Sequence, residues 1–113
     1  MIGIKRIYEE PDPGDGRRIL VDRLWPRGLS REAARVDWWI KEIAPSNELR
    51  RWFGHDPQRW LEFKVRYLEE LTQHEALLGE LRSLAGKERI TLLYAAHDTE
   101  HNNAVVLRDL LIS

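Results

Sequence analysis

Cysteine is absent from this chain of 113 residues. That removes disulfides, thiolate nucleophiles and every cysteine-based zinc or iron–sulfur site in one step. No apolar run approaches the ~20 residues of a membrane span. The start, Met1-Ile-Gly-Ile-Lys-Arg6, lacks the ordered regions of a signal peptide, so a cytoplasmic protein with no membrane partner is expected. A basic excess is missing too: the net charge is −1, which argues against a general polyanion binder. No Walker or Rossmann glycine pattern and no Gly-x-Ser-x-Gly elbow occurs, and no cofactor is called for. Lysine is scarce, with 4 Lys against 14 Arg. Arginine offers a planar fork to carboxylate or phosphate and stacks on aromatic rings, whereas lysine does neither well.

What remains is ordinary globular material, 42% hydrophobic and 33% charged, enough for one domain over residues 1–113 with one modest core. Ile2–Tyr8 reads as a short strand, followed by a Pro- and Gly-rich turn over 11–16. Arg18–Leu24 reads as a second strand whose Ile-Leu-Val run lacks alternation, as in a strand covered on both faces. Ser30 is placed to cap a short helix over Arg31–Arg35. Residues 36–43 fit either a helical stripe or a strand face; their β-branched and aromatic content leans toward strand. Ser46 caps a helix through Phe53, and Asp56-Pro57 opens the next, with Trp60, Phe63, Tyr67 and Leu71 on its core face. Leu77, Leu78, Leu81 and Leu84 mark a further helix closed by Gly86. Ile90–Ala96 is a buried strand, 97–103 a polar loop, and Ala104–Leu111 an apolar helix. The order predicts a single α/β domain with a small, mostly parallel sheet flanked by helices.

The most informative stretch is Val21-Asp-Arg-Leu-Trp-Pro-Arg-Gly28, which sets Asp, Arg, Trp and Arg around a proline at a strand's end. In parallel sheets ligands usually bind beyond the carboxyl ends of the strands. The loop His97-Asp-Thr-Glu-His-Asn-Asn103 falls at a second such end. Together they suggest a site for a small anionic or nucleotide-like ligand. Arg23, Arg27 and Lys41 would supply charge and bidentate hydrogen bonds, Trp25 stacking, and Ser46, Asn102 and Asn103 polar contacts. Asp98 is the best candidate for a general base, since a carboxylate near Arg can be tuned either way. The plain alternatives are an Asp22–Arg ion pair under a Trp25 lid, and helix capping by Asp98 and the asparagines. His97 and His101 straddle a loop, unlike the two histidines of a metalloprotease helix, and no metal site is expected. Arg50-Arg51-Trp52 with Arg59-Trp60 is the one basic–aromatic interleaving, and a non-catalytic nucleic-acid or protein-interaction module using that kind of Arg/Trp surface is the alternative function.

Taken together, the octapeptide, Lys41-Glu-Ile-Ala-Pro-Ser46, Trp52-Phe-Gly-His-Asp-Pro57, and Thr91-Leu-Leu-Tyr-Ala-Ala96 with Asp98 and Asn102-Asn-Ala104 resemble the YeaO-like proteins. These are a branch of the domain-of-unknown-function family 488. The resemblance spans nearly the whole chain and implies a small bacterial or archaeal α/β protein. It also implies that Arg23, Trp25, Arg27, Lys41, Ser46, Asp98 and Asn103 occupy the family's motif positions. His97 departs from the pattern, standing where Lys is common. In outline, the late strand–loop–helix also resembles the anion cradle of a rhodanese or Cys-dependent phosphatase. Here that loop, Ala95 to His101, has no Cys, which excludes sulfur transfer and cysteinyl-phosphate chemistry there.

Overall fold

Four short strands align in parallel, in the order β1-β4-β2-β3: β1 (Ile2–Arg6), β2 (Arg17–Leu20), β3 (Trp38–Trp39) and β4 (Ile90–Tyr94). The computed structural model describes residues 1–113. The central strand β4 is buried at all five residues, as its unbroken Ile-Thr-Leu-Leu-Tyr run requires. Five helices surround the sheet: α1 (Arg31–Ala34), α2 (Asn47–Phe53), α3 (Trp60–Leu71), α4 (Glu75–Lys87) and α5 (Asn103–Ile112). This is the α/β domain that the order of elements predicts, with the sheet wholly parallel. No helix is long and apolar enough to cross a membrane.

Strand alternation divides the interior in two. Ile19, Ile90, Leu92 and Tyr94 point into a main core that includes Phe53, Phe63, Tyr67, Leu81 and Leu107 from the helices. Leu20 and Leu93, one residue out of phase, join Ile7 and Ala34 in a smaller cluster on the opposite face, with Trp25 and Trp39 packed against it. Each such side chain taken fully out of water contributes about 1.5–3 kcal/mol. In α3, Phe63, Tyr67 and Leu71 recur every four residues, so one stripe is buried while Leu61 and Val65 stay exposed. Phe63 stacks on Phe53 with ring centroids 4.3 Å apart, and the Tyr67 hydroxyl donates to the Ile43 carbonyl at 2.6 Å. These contacts fix α2 and α3 beneath the carboxyl end of β2.

The second face carries a polar network instead of a helical layer. Asp15 takes hydrogen bonds from Lys5 Nζ at 3.1 Å and Arg18 Nη1 at 2.6 Å. Arg18 also donates to the Ala34 and Arg35 carbonyls, and Thr91 donates to the Asp15 carbonyl. The turn before β2 is held by Asp12, whose side chain caps a 3-10 turn over Pro13–Asp15. Gly16 is obligatory there: its φ is 65°, and a Cβ would lie 2.2 Å from the Arg89 carbonyl oxygen.

Boundaries differ from the sequence reading at informative places. Residues 36–43 split: Trp38–Trp39 pair with β2 as the lean toward strand requires, then Lys41–Ile43 form a 3-10 turn. Gly86 does not close α4, which runs one residue past it. The N-caps at Ser30 and Ser46 form as expected, with the side chains accepting from Ala33 N and Leu49 N. The largest correction concerns β2, expected to reach Leu24. Its pairing stops at Leu20, with one further bond from Val21 N to the Leu93 carbonyl. The next parallel rung would join Ala95 N to the Val21 carbonyl. Instead the Ala95 N–H donates to Asp22 Oδ2 at 2.9 Å, and Asn103 Nδ2 donates to the Val21 carbonyl at 2.9 Å. Two side chains replace the rung, and the strands part.

Candidate functional site

Where β2 and β4 separate, a cleft of about 860 Å³ opens between the octapeptide, the start of α5 and the end of α2. Its size falls in the range typical of small-molecule sites. The structure brings Arg23, Trp25, Arg27, Asp98, Asn102 and Asn103 to this one cleft. It leaves Lys41 and Ser46 outside. Lys41 lies over the Trp39 ring at 4.2 Å, and Ser46 is occupied as the α2 cap while its hydroxyl donates to Glu70 at 2.6 Å.

Within the cleft the side chains differ in how much of their capacity is already used. Arg23, half-buried, spends two donors on carbonyls, Nε on Pro45 and Nη2 on Ala44, both at 3.1 Å. Its Nη1 makes no hydrogen bond inside the chain. Trp25 is held as a wall: its indole N–H donates to the Leu29 carbonyl at 2.7 Å, Arg31 lies over its ring, and Trp39 meets it edge-on. That fits the lid role better than free stacking on a ligand. Arg27 projects from a segment pinned by the Tyr8 hydroxyl, which donates to the Arg27 carbonyl at 2.8 Å. Neither Arg27 nor Arg50, at the end of α2, takes part in any ion pair.

Asp98 and Asp22 reverse the roles that position alone suggests. Asp98 Oδ1 accepts the N–H groups of Glu100 and His101, and Oδ2 lies 2.8 Å from His101 Nδ1. These bonds, led by that of Glu100, hold its carboxyl below its ordinary value. Asp98 is therefore a turn-former and an anchor for His101, poorly suited to accept a proton. Burial pushes the Asp22 carboxyl above its ordinary value, and the bonds from Ala95 and Asn103, with the nearby charges of His55 and Arg50, offset this only in part. Asn102 is buried and caps α5, accepting from Val105 N at 3.1 Å, while Asn103 reaches Asp22 Oδ1 at 3.2 Å.

Sequence reasoning missed Arg50 and His55 as cleft residues. Arg50 reads locally as one more solvated helix arginine. His55 carries a weak signal in Gly54-His55, a helix end followed by a cap. In the structure both residues have positive φ, 55° and 58°, and the second such turn brings His55 to the cleft. No three His, Asp or Glu side chains converge closely enough to hold a metal ion.

The chain is similar to uncharacterised bacterial proteins. The uncharacterised protein YeaO of Escherichia coli K12 is 46% identical over 112 residues, covering 99% of this chain and 97% of the relative. The uncharacterised protein Rv3073c of Mycobacterium tuberculosis H37Rv is 46% identical over 110 residues, covering 97% of this chain and 92% of the relative. No solved structure matches the chain. Residues 1–113 match the family described as the inactive DUF488-N3 subclade, and the chain belongs to that family.

Proposed function

We propose that the cleft binds a small anion without turning it over. The observation that carries this reading is the pair of unspent guanidinium groups, Arg27 and Arg50, facing one concave site with the half-committed Arg23. An arginine that makes no bond in its own chain is free to offer its fork to carboxylate or phosphate oxygens. Three guanidinium groups stand against two carboxylates, Asp22 and Asp98, and the Asp98 carboxylate is already engaged by its own loop. The start of α5 adds its backbone dipole on the same side. Binding without chemistry is supported by the state of the two acids: one is tied into a turn and the other stands in for a missing strand rung. The family's description as inactive agrees with this.

Titration calorimetry with inorganic phosphate, ethyl phosphate and citrate tests the reading. Wild type should bind at least one of them, and Arg27→Ala should weaken that binding by about tenfold or more, the scale of one lost charge-assisted bond. Its stability should change by no more than about 0.5 kcal/mol, as for other exposed sites. Absence of binding by all three anions, together with steeply salt-dependent retention of oligonucleotides, would point instead to a nucleic-acid module.

A further inference from the structure

Asp22 is the group in the cleft that the anion reading leaves unexplained. A carboxylate beside an anion site repels the ligand, and its place in the missing rung leaves part of its acceptor capacity unused. Its structural duties use one lone pair on each oxygen: Ala95 N–H at Oδ2 and Asn103 Nδ2 at Oδ1. An ionised carboxylate offers about four acceptor positions, so about half of its capacity remains. The side chain lines the cleft in a half-buried position where water is partly excluded, and an acceptor desolvated in this way is costly unless a donor meets it.

The surroundings narrow the donor. Arg50 and His55 line the same cleft and draw the Asp22 carboxyl downward, but less than burial raises it. A ligand ammonium would face the three guanidinium groups of the same cleft, Arg23, Arg27 and Arg50, whereas a neutral hydroxyl can donate without adding charge. The anionic pole lies next in sequence, at Arg23 with its uncommitted Nη1 and at Arg27. Two guanidinium groups suit a dianion such as a phosphate monoester better than a single carboxylate. A ligand spanning both poles carries hydroxyls at one end and phosphate at the other.

Resting on the anion-binding reading, we infer that the cleft selects polyhydroxylated phosphates of the sugar-phosphate class, with Asp22 as the acceptor for a ligand hydroxyl and Arg23 and Arg27 as the phosphate clamp. Asp22 is then a specificity-determining residue. Asn103 is a positioning residue: its amide spans the Val21 carbonyl and Asp22 Oδ1 and so aims the carboxylate.

The test compares ribose 5-phosphate with ethyl phosphate, which has the same charge and no hydroxyls, by titration calorimetry on the full chain. Wild type should prefer ribose 5-phosphate by about tenfold or more, the discrimination expected when a site built for a hydroxyl meets an analogue without one. Asp22→Asn should reduce that preference to within about threefold while ethyl phosphate binds as well or better, because a repelling charge has been removed. Carbon-13 carboxyl spectra of wild type give a readout independent of whether the variant folds. The Asp22 resonance should move with ribose 5-phosphate and stay in place with ethyl phosphate. Equal affinity for the two ligands, or an unmoved Asp22 resonance at saturation with ribose 5-phosphate, overturns the hydroxyl assignment and leaves the anion site standing. Failure of both phosphates to bind overturns this inference, and the anion site falls with it when inorganic phosphate and citrate fail to bind as well.

Discussion

Two polar clusters in this molecule use the same residue types to opposite ends. On one sheet face, Asp15, Lys5 and Arg18 close on one another and on nearby carbonyls, with Arg18 only 4% exposed. At the carboxyl edge of the sheet, Asp22, Arg23, Arg27 and Arg50 meet around open space, and two of the three arginines have no partner in the chain. No buried side-chain nitrogen or oxygen in the protein lacks a hydrogen bond, so the first cluster is complete as folded. Of the two clusters, only the second has unused capacity. Composition does not separate a closed structural network from an open cluster. Whether the donors are already spent does.

That contrast can be broken most severely at Arg18. Arg18→Met should cost about 3–5 kcal/mol of stability in urea denaturation, because it leaves a buried carboxylate with one partner fewer and strips donors from the α1 carbonyls. The same cluster predicts an acid response. Burial raises the Asp15 carboxyl, but the Asp12 N–H, Lys5 and Arg18 outweigh it and hold the group below its ordinary value of 3.8. The folded state then binds fewer protons than the unfolded one, so this stability is complete above the ordinary value and is lost as pH falls through the lowered one. A denaturation series from neutral pH into strong acid should show the loss in wild type and not in Asp15→Asn. If Arg18→Met were nearly as stable as wild type, the first cluster would not be a closed structural unit.

The smaller effects sharpen where the cleft ends. Ser46→Ala removes the α2 cap and the bond to Glu70, and should cost about 1 kcal/mol while anion affinity stays unchanged in calorimetry. Lys41→Met removes a cation held over Trp39 and should cost about 0.5 kcal/mol, again without effect on the anion. A binding defect in either variant would extend the site beyond the cleft and restore those residues to it.

Much of the fold was legible because it depends on local periodicity. Phe63, Tyr67 and Leu71 announce one buried face of α3, and Ser30 and Ser46 announce helix starts, since a cap needs only a side-chain oxygen near the next few N–H groups, whereas Asp56 caps a 3-10 turn over Pro57–Arg59 ahead of α3. The apolar run of β4 announces a strand covered on both sides. The end of β2 was not legible. Asp22 and Asn103 are 81 residues apart, and their joint replacement of one sheet rung leaves no mark in either segment. The site was legible in part for the same reason. The octapeptide and the 97–103 loop could be placed at strand ends, and the structure joins them across one cleft. Lys41 and Ser46 carry chemistry suited to a site, but the 3-10 turn and the cap that follow β3 lead them away from it. Arg50 and His55 reach it through the end of α2, which packs on α3 by the Phe53–Phe63 stack, and through the positive-φ turn at Gly54 and His55.

The sequence by itself determined the order of strands and helices, the caps, the lack of a thiol and the presence of an arginine-rich segment at a strand end. Each of these depends on residues near one another in the chain, where hydrogen-bond reach and side-chain periodicity suffice. The tertiary structure alone decided which arginines are spent and which are free, and that burial raises the carboxyl of Asp22 while hydrogen bonds lower that of Asp98. Those properties depend on desolvation and on partners brought from distant segments, and no local pattern encodes either.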